Sequence, residues 1–148
     1  MMEVVDTEHI RMQQGIQALQ DEFLKHEQVP IHLEHRFAHG IYARTIVVPK
    51  GTIAIGERQR HSTFNVITKG RIRMYDGPGS PGVEISAPYI YVSNPGDKKV
   101  GEFIEESEWT SVHANPTEER DRKKLEDIML LPESDYIDWL TGDKGEIE

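Results

Sequence analysis

Residues 40–77 read GIYARTIVVPKGTIAIGERQRHSTFNVITKGRIRMYDG, and the reading of the fold starts there. GIYARTIVVPKG (40–51) is a strand rich in β-branched residues, closed by Pro49-Lys50-Gly51. TIAIG (52–56) is a second short strand, and HSTFNVITKG (61–70) and RIRMYDG (71–77) form two more around a Lys69-Gly70 turn. Short β-rich runs punctuated by glycine and proline mark strands and turns, not helix. Downstream, the loop over 76–82 is dense in Gly and Pro. VEISAP (83–88), YIYVSNPG (89–96), KKVGEFIEE (98–106) and EWTSVHAN (108–115) then continue the strand series. Seven or eight short strands at this spacing predict a closed antiparallel barrel or sandwich.

Helical patterns flank this region. Residues 7–26 carry Ile10, Ile16, Leu19, Phe23 and Leu24 at near-helical spacing, with Thr7 or Asp6 as N-cap and Gly15 as a weak point in the middle. Pro30 ends that helix, and 29–35 is an extended lead-in. After the strands, Asn115-Pro116-Thr117-Glu118-Glu119 supplies a cap, a proline and early acids for a helix over 117–130, stopped by Pro132. SDYIDWL adds one more turn before an acidic tail. The chain thus divides into an N-terminal helical arm (1–35), a β-barrel (36–115) and a C-terminal helix with tail (116–148), one structural domain overall.

Charge is unevenly spread. The net −9 divides into −5 over 1–35, +7 over 36–75 and −11 over 76–148. A basic centre in an acidic protein points to local attraction for an anion, and away from nucleic-acid binding. The competing reading pairs these Lys and Arg side chains with acids from the two ends. There is no cysteine, so no disulfide framework or thiolate zinc site. No apolar run reaches bilayer-spanning length, and the N-terminus has no signal-like apolar stretch. A soluble protein of the cytoplasm is expected, without a membrane partner. P-loop, GxGxxG, GxSxG and HExxH patterns are all missing.

The ordered set over 36–128 resembles the cupin superfamily, in particular small stand-alone cupins of tailed bacteriophages and prophages. The elements carrying it are the strand with Pro-x-Gly, the polar segment with His61, Lys69-Gly70, Ala87-Pro88, Pro95-Gly96 and Trp109-Thr110-Ser111-Val112-His113. The resemblance implies a mainly β fold: a cupin-type antiparallel barrel (double-stranded β-helix or jelly roll) with an N-terminal and a C-terminal helix. It also implies a homodimer, and the cytoplasm of a bacterial host if the chain is phage-encoded. Metal-using cupins hold one divalent ion with three His and a carboxylate. In this sequence Gln59, His61, Asn65 and Lys99 stand at those four positions, so three are altered. A charged Lys donates hydrogen bonds and cannot ligate a metal.

Gln59, His61, Thr63 and Asn65 share strand parity and so face one way. His113 shares parity with Trp109 and Ser111 on the last strand, where it could approach His61. Two imidazoles with amide oxygens could hold a divalent transition metal weakly, which makes His61 and His113 the candidate ligands. A hydrogen-bonded polar network and a catalytic histidine are the alternatives. On the first barrel strand Tyr42 and Arg44 alternate. By parity only Arg44 and Lys99 are internal cations, while Arg58, Arg60, Arg71 and Arg73 are outer-surface groups and Ile72 and Met74 point inward. His26, His32, His35 and His39 match no metal pattern and are expected in solvent or at an interface.

Together these readings predict a ligand-binding protein. It would hold an anionic small molecule through Tyr42, Arg44, Gln59, His61, Thr63, Asn65, Lys99, Trp109 and His113, with no catalytic residue and no firm cofactor. In a phage this would serve as an accessory or host-interaction protein. The rivals are a metal-dependent enzyme of dioxygenase or isomerase type using His61 and His113, and a virion or oligomeric structural component.

Overall fold

The computed structural model describes residues 7–141. Asp6, one of the two cap candidates, and the acidic tail from Gly142 lie outside the described residues. The chain runs α1 (Thr7–Phe23), β1 (His32–Ala38), β2 (Ile41–Val48), β3 (Ile53–Ile55), β4 (Thr63–Lys69), β5 (Arg71–Tyr75), β6 (Val83–Ser86), β7 (Tyr89–Ser93), β8 (Val100–Phe103), β9 (Ser107–Ala114), α2 (Arg122–Met129) and α3 (Glu133–Thr141). All pairings are antiparallel, in a five-stranded sheet of order β1-β2-β9-β4-β7 and a four-stranded sheet of order β3-β8-β5-β6. The expected antiparallel β architecture with flanking helices is what forms. The extended lead-in is itself a strand, β1, in a hairpin with β2.

Between the sheets Val48, Ile67, Ile72, Ile85 and Phe103 form the buried core, with Ile46, Met74 and Trp109 packed against it. Ile72 and Met74 do point inward, while Arg71 and Arg73 lie outside near Glu84. Gly70 closes the β4–β5 turn at φ 100°, and a Cβ there would run into Ser107.

Register grades the inner face of the five-stranded sheet. One row across it reads Leu33, Ile46, Trp109, Ile67, Tyr89, and is mainly apolar. The next reads His35, Arg44, Ser111, Asn65, Tyr91. Beyond it stand Phe37, Tyr42 and His113 on three strands, with Thr63 opposite Ser93 on the other two. Residues directly opposite across strands share a face, so the barrel passes from packed apolar core to polar end within two rows. Helix α2 lies at that end, with Leu125 and Met129 against Tyr42.

The terminal helices depart from expectation in three places. On α1 the buried residues are Gln13 and Ile16, whereas Leu19 is 36% and Leu24 65% exposed. Gly15 is a contact position, because a Cβ there would stand 2.7 Å from Pro78 Cγ. Helix α2 starts at Arg122 with Asp121 as its cap, since Oδ1 of Asp121 accepts from Lys124 N at 3.1 Å. Asn115 caps nothing helical. It is buried and ties a loop to Glu119, donating to its carbonyl at 2.9 Å and accepting from its N–H at 3.1 Å. Past α2 the chain leaves the helix to bridge Gln59 with Leu130, and α3 then runs nine residues, not one turn.

Candidate functional site

The polar end of the barrel is built from β1, β2, β4 and β9. Tyr42 is 2% exposed and stacks between two histidines, with ring centroids 5.8 Å from His35 and 5.8 Å from His113. His35 Nδ1 and the Tyr42 hydroxyl share a 2.5 Å hydrogen bond. His35 is exposed, as expected, and this bond also joins it to the site. The other three outlying histidines lie beside acids: His26 at Glu22, His32 at Glu34 and His39 at Glu118.

Burial pushes the His113 imidazole down to about 4, and the positive charges of Arg44 and His61 push the same way. Burial likewise lowers His35, with help from Arg122 and Arg44, and raises the Tyr42 phenol. No described carboxylate offsets this, and His113 rests neutral at pH 7. Among the described residues the side chains of His61, His113 and Arg44 make no hydrogen bond or ion pair. Arg44 is exposed although it stands on the inner face between His35 and Ser111.

Asn65 is buried and hydrogen-bonded through both its amide oxygen and its amide nitrogen. Its Oδ1 accepts from Trp109 Nε1 at 3.0 Å and Ser111 Oγ at 3.4 Å, and its Nδ2 donates to the Thr63 carbonyl at 3.0 Å. The expected common face holds for Thr63 and Asn65 only, because β4 begins at Thr63. Gln59 lies outside the strand, pinned by its bridge to Leu130 and by its carbonyl accepting from Gly96 N at 2.8 Å. Its Oε1 is buried without a partner. His61 is exposed and comes near enough to His113 to lower its pKa.

Lys99 does not join this group: its ammonium pairs with Asp76 in the loop after β5. The carboxylates Glu84 and Glu102 are occupied elsewhere, near Arg71 and by the Tyr75 hydroxyl. The buried basic side chains are Arg58, 1% exposed, and Lys98, 6% exposed. Parity misplaced Arg58 outside and Lys99 inside because 57–62 and 94–99 are loops, where alternation does not hold. One sign was present in the sequence: Gln13, Gln17 and Gln20 recur at helical spacing on α1, a polar stripe that has to meet polar groups.

Metal-using members of this architecture need three imidazoles and a carboxylate. Here two imidazoles stand near each other, Asn65 is committed, Lys99 is ion-paired, and Gln59 Oε1 is the one unengaged amide oxygen of the set. No three of His, Asp and Glu converge among the described residues. This donor set does not fit a resident divalent ion, whose binding rests on carboxylate charge.

Solved structures share the architecture. A protein with a double-stranded β-helix domain from Klebsiella pneumoniae aligns with a TM-score of 0.50 at 14% identity, covering 67% of this chain and 84% of its own. The fold is a double-stranded β-helix. A provisionally assigned acetylacetone dioxygenase from Methylibium petroleiphilum gives a TM-score of 0.50 at 15% identity, covering 68% and 79% of the two chains. An acetylacetone dioxygenase from Acinetobacter johnsonii gives 0.49 at 16%, with 59% of this chain spanning 61% of that one. At these identities the likeness concerns the barrel fold alone. No family model matches the chain, and no curated protein sequence matches it.

Proposed function

We propose that the polar end of the cupin barrel binds a small anionic molecule, held by Arg44 with Tyr42, His61, Ser111 and His113 around it. The observation that carries this is Arg44 itself. In a chain of net −9 it faces the barrel interior, exposed, and pairs with no described carboxylate. A guanidinium offers five donors in a planar fork suited to carboxylate or phosphate. Thr63, Asn65 and Trp109 form the hydrogen-bonded floor. Lys99 drops out of the holding set, because Asp76 already neutralises it.

Calorimetry with nucleotides, sugar phosphates and dicarboxylates tests the proposal. A hit should weaken with added salt and lose about tenfold or more in Arg44→Met, the scale of a hydrogen bond to a charged group. Lys99→Met should leave it unchanged. If no anion binds, or Arg44→Met binds as well as the wild type, the reading fails. Near-stoichiometric iron, zinc, nickel or manganese lost on His61→Ala would replace it with the metalloenzyme reading.

A homodimer belongs to the same proposal. On the outer face of the five-stranded sheet Phe64 is 57%, Ile90 63% and Val92 52% exposed, and their rows across β9, β4 and β7 carry no charged side chain. Two acidic chains can meet there without desolvating charge. Sedimentation of the calorimetric sample should give a dimer that Ile90→Glu dissociates, and a monomeric wild type rejects this part. An accessory or host-interaction role in a bacteriophage is the setting in which we place such a protein.

A further inference from the structure

A second site lies away from the barrel end, in a cleft of about 520 Å³ between α1, the β3–β4 loop and the α2–α3 junction. Lys98, Gln17, Gln20, Arg60, Glu126 and Glu133 are among its walls. Lys98 is clamped by α1. Gln13 Oε1 accepts from its backbone N–H at 2.8 Å, and Gln13 Nε2 donates to its carbonyl at 3.1 Å. Its Nζ donates to Gln17 Oε1 at 2.7 Å and to Gln20 Oε1. These are its two acceptors, and no described carboxylate pairs with it. An ammonium has three N–H bonds to place, whereas a neutral amine has two and keeps a lone pair. The surroundings disfavour the charged form. Burial lowers the Lys98 pKa most, Arg58 lowers it further, and Glu133, Glu57 and Asp21 oppose more weakly. Glu133 is itself held by Arg58. Arg60, on the same cleft, makes no side-chain hydrogen bond or ion pair among the described residues.

We propose that Lys98 is a nucleophilic amine that takes a small carbonyl compound bearing a carboxylate, an α-oxo acid, as an imine in this cleft, with Arg60 receiving the carboxylate. The nitrogen lone pair attacks the carbonyl carbon and a C–N bond forms. The carbonyl oxygen leaves as water, taking both amine protons, and a C=N bond remains. The step needs no oxidant or reductant and is reversible. A hydride donor makes it permanent by delivering hydride to carbon while nitrogen takes a proton from water.

The full chain is treated at neutral pH with glyoxylate and cyanoborohydride, and the modified lysines are located by peptide mass spectrometry. Lys98 should be alkylated at least about tenfold faster than exposed Lys25, Lys50 or Lys123, because burial and Arg58 disfavour its charged form. Arg60→Gln should slow trapping of glyoxylate about tenfold and leave trapping of acetaldehyde, which has no carboxylate, unchanged. Gln20→Glu places an acid beside the amine, favours its charged form and should cut Lys98 labelling about tenfold, with the exposed lysines unaffected. Its thermal midpoint, matched to the wild type, shows the cleft still folded. Labelling of Lys98 no faster than that of the exposed lysines, or unchanged in Gln20→Glu, overturns the amine assignment. Equal slowing of both aldehydes in Arg60→Gln overturns the carboxylate assignment.

Discussion

Arg58→Met should cost about 3–5 kcal/mol of folding stability, the scale for removing one partner of a buried, hydrogen-bonded charge. The guanidinium is fully enclosed and all five of its donors are used. Nε donates to Glu133 Oε1 at 2.7 Å, and Nη1 donates to Gln13 Oε1 at 2.6 Å and to the Gly96 carbonyl at 2.8 Å. Nη2 reaches Glu133 Oε2 at 3.3 Å and the Gln13 carbonyl at 3.4 Å. The Tyr136 ring lies 3.5 Å from its central carbon. One side chain therefore ties α1, the β7–β8 loop and α3 to the loop before β4. Methionine fills similar volume but leaves buried acceptors bare, each costing about 1–3 kcal/mol. Arg58→Lys should not rescue it, since three tetrahedral donors cannot reproduce a planar fork of five. Urea denaturation reads the difference, and a loss below about 1 kcal/mol in Arg58→Met contradicts the account.

His113 should make the protein acid-sensitive by about 3 kcal/mol. Its unfolded pKa is about 6.5, and burial with Arg44 and His61 brings the folded value to about 4. Above the unfolded value the imidazole is neutral in both states and contributes no pH dependence. Between the two values the unfolded chain binds a proton that the folded chain refuses, so stability falls as pH falls. Below about 4 both states are protonated and the loss is complete. His113→Phe keeps a ring against Tyr42 and cannot titrate. The gap between wild type and variant at pH 7 should therefore shift by about 3 kcal/mol against the wild type by pH 4. Parallel acid curves for the two proteins would falsify this. The same cationic surroundings connect to the barrel-end proposal: a bound anion raises the His113 pKa, so anion binding should tighten as pH drops through this window.

The barrel was legible because its strands state their period locally. Ile72 and Met74 against Arg71 and Arg73 show it well, since two-residue alternation sorts inside from outside wherever a strand continues. Residues 57–62 and 94–99, which carry Arg58, Arg60, His61, Lys98 and Lys99, are loops, and there alternation fails. Arg58 and Arg60 look equivalent in sequence, yet one is enclosed and the other lines a cleft. Nothing within a few residues distinguishes them, because the partners that decide it are Gln13 and Glu133. Lys99 was expected inside for want of the same information: Lys98 is the one held by α1, and Lys99 pairs with Asp76. The Asn115-Pro116 signal misled by being satisfied in another way, as Asn115 spends its side chain on Glu119.

The separations along the chain set an order of events during synthesis. Gln13 waits 85 residues for Lys98, and Arg58 waits 75 for Glu133. Strand β2 emerges long before β9, the central neighbour it must pair with. An N-terminal helix made first is thus docked late, and the guanidinium that straps it down stays hydrated until the C-terminal helix has left the ribosome. Such long-range pairing folds slowly for its size, because loop closure must precede most stabilising contacts. Through that interval Ile46, Val48 and Ile67 stand as unpaired strand segments, open to other nascent chains.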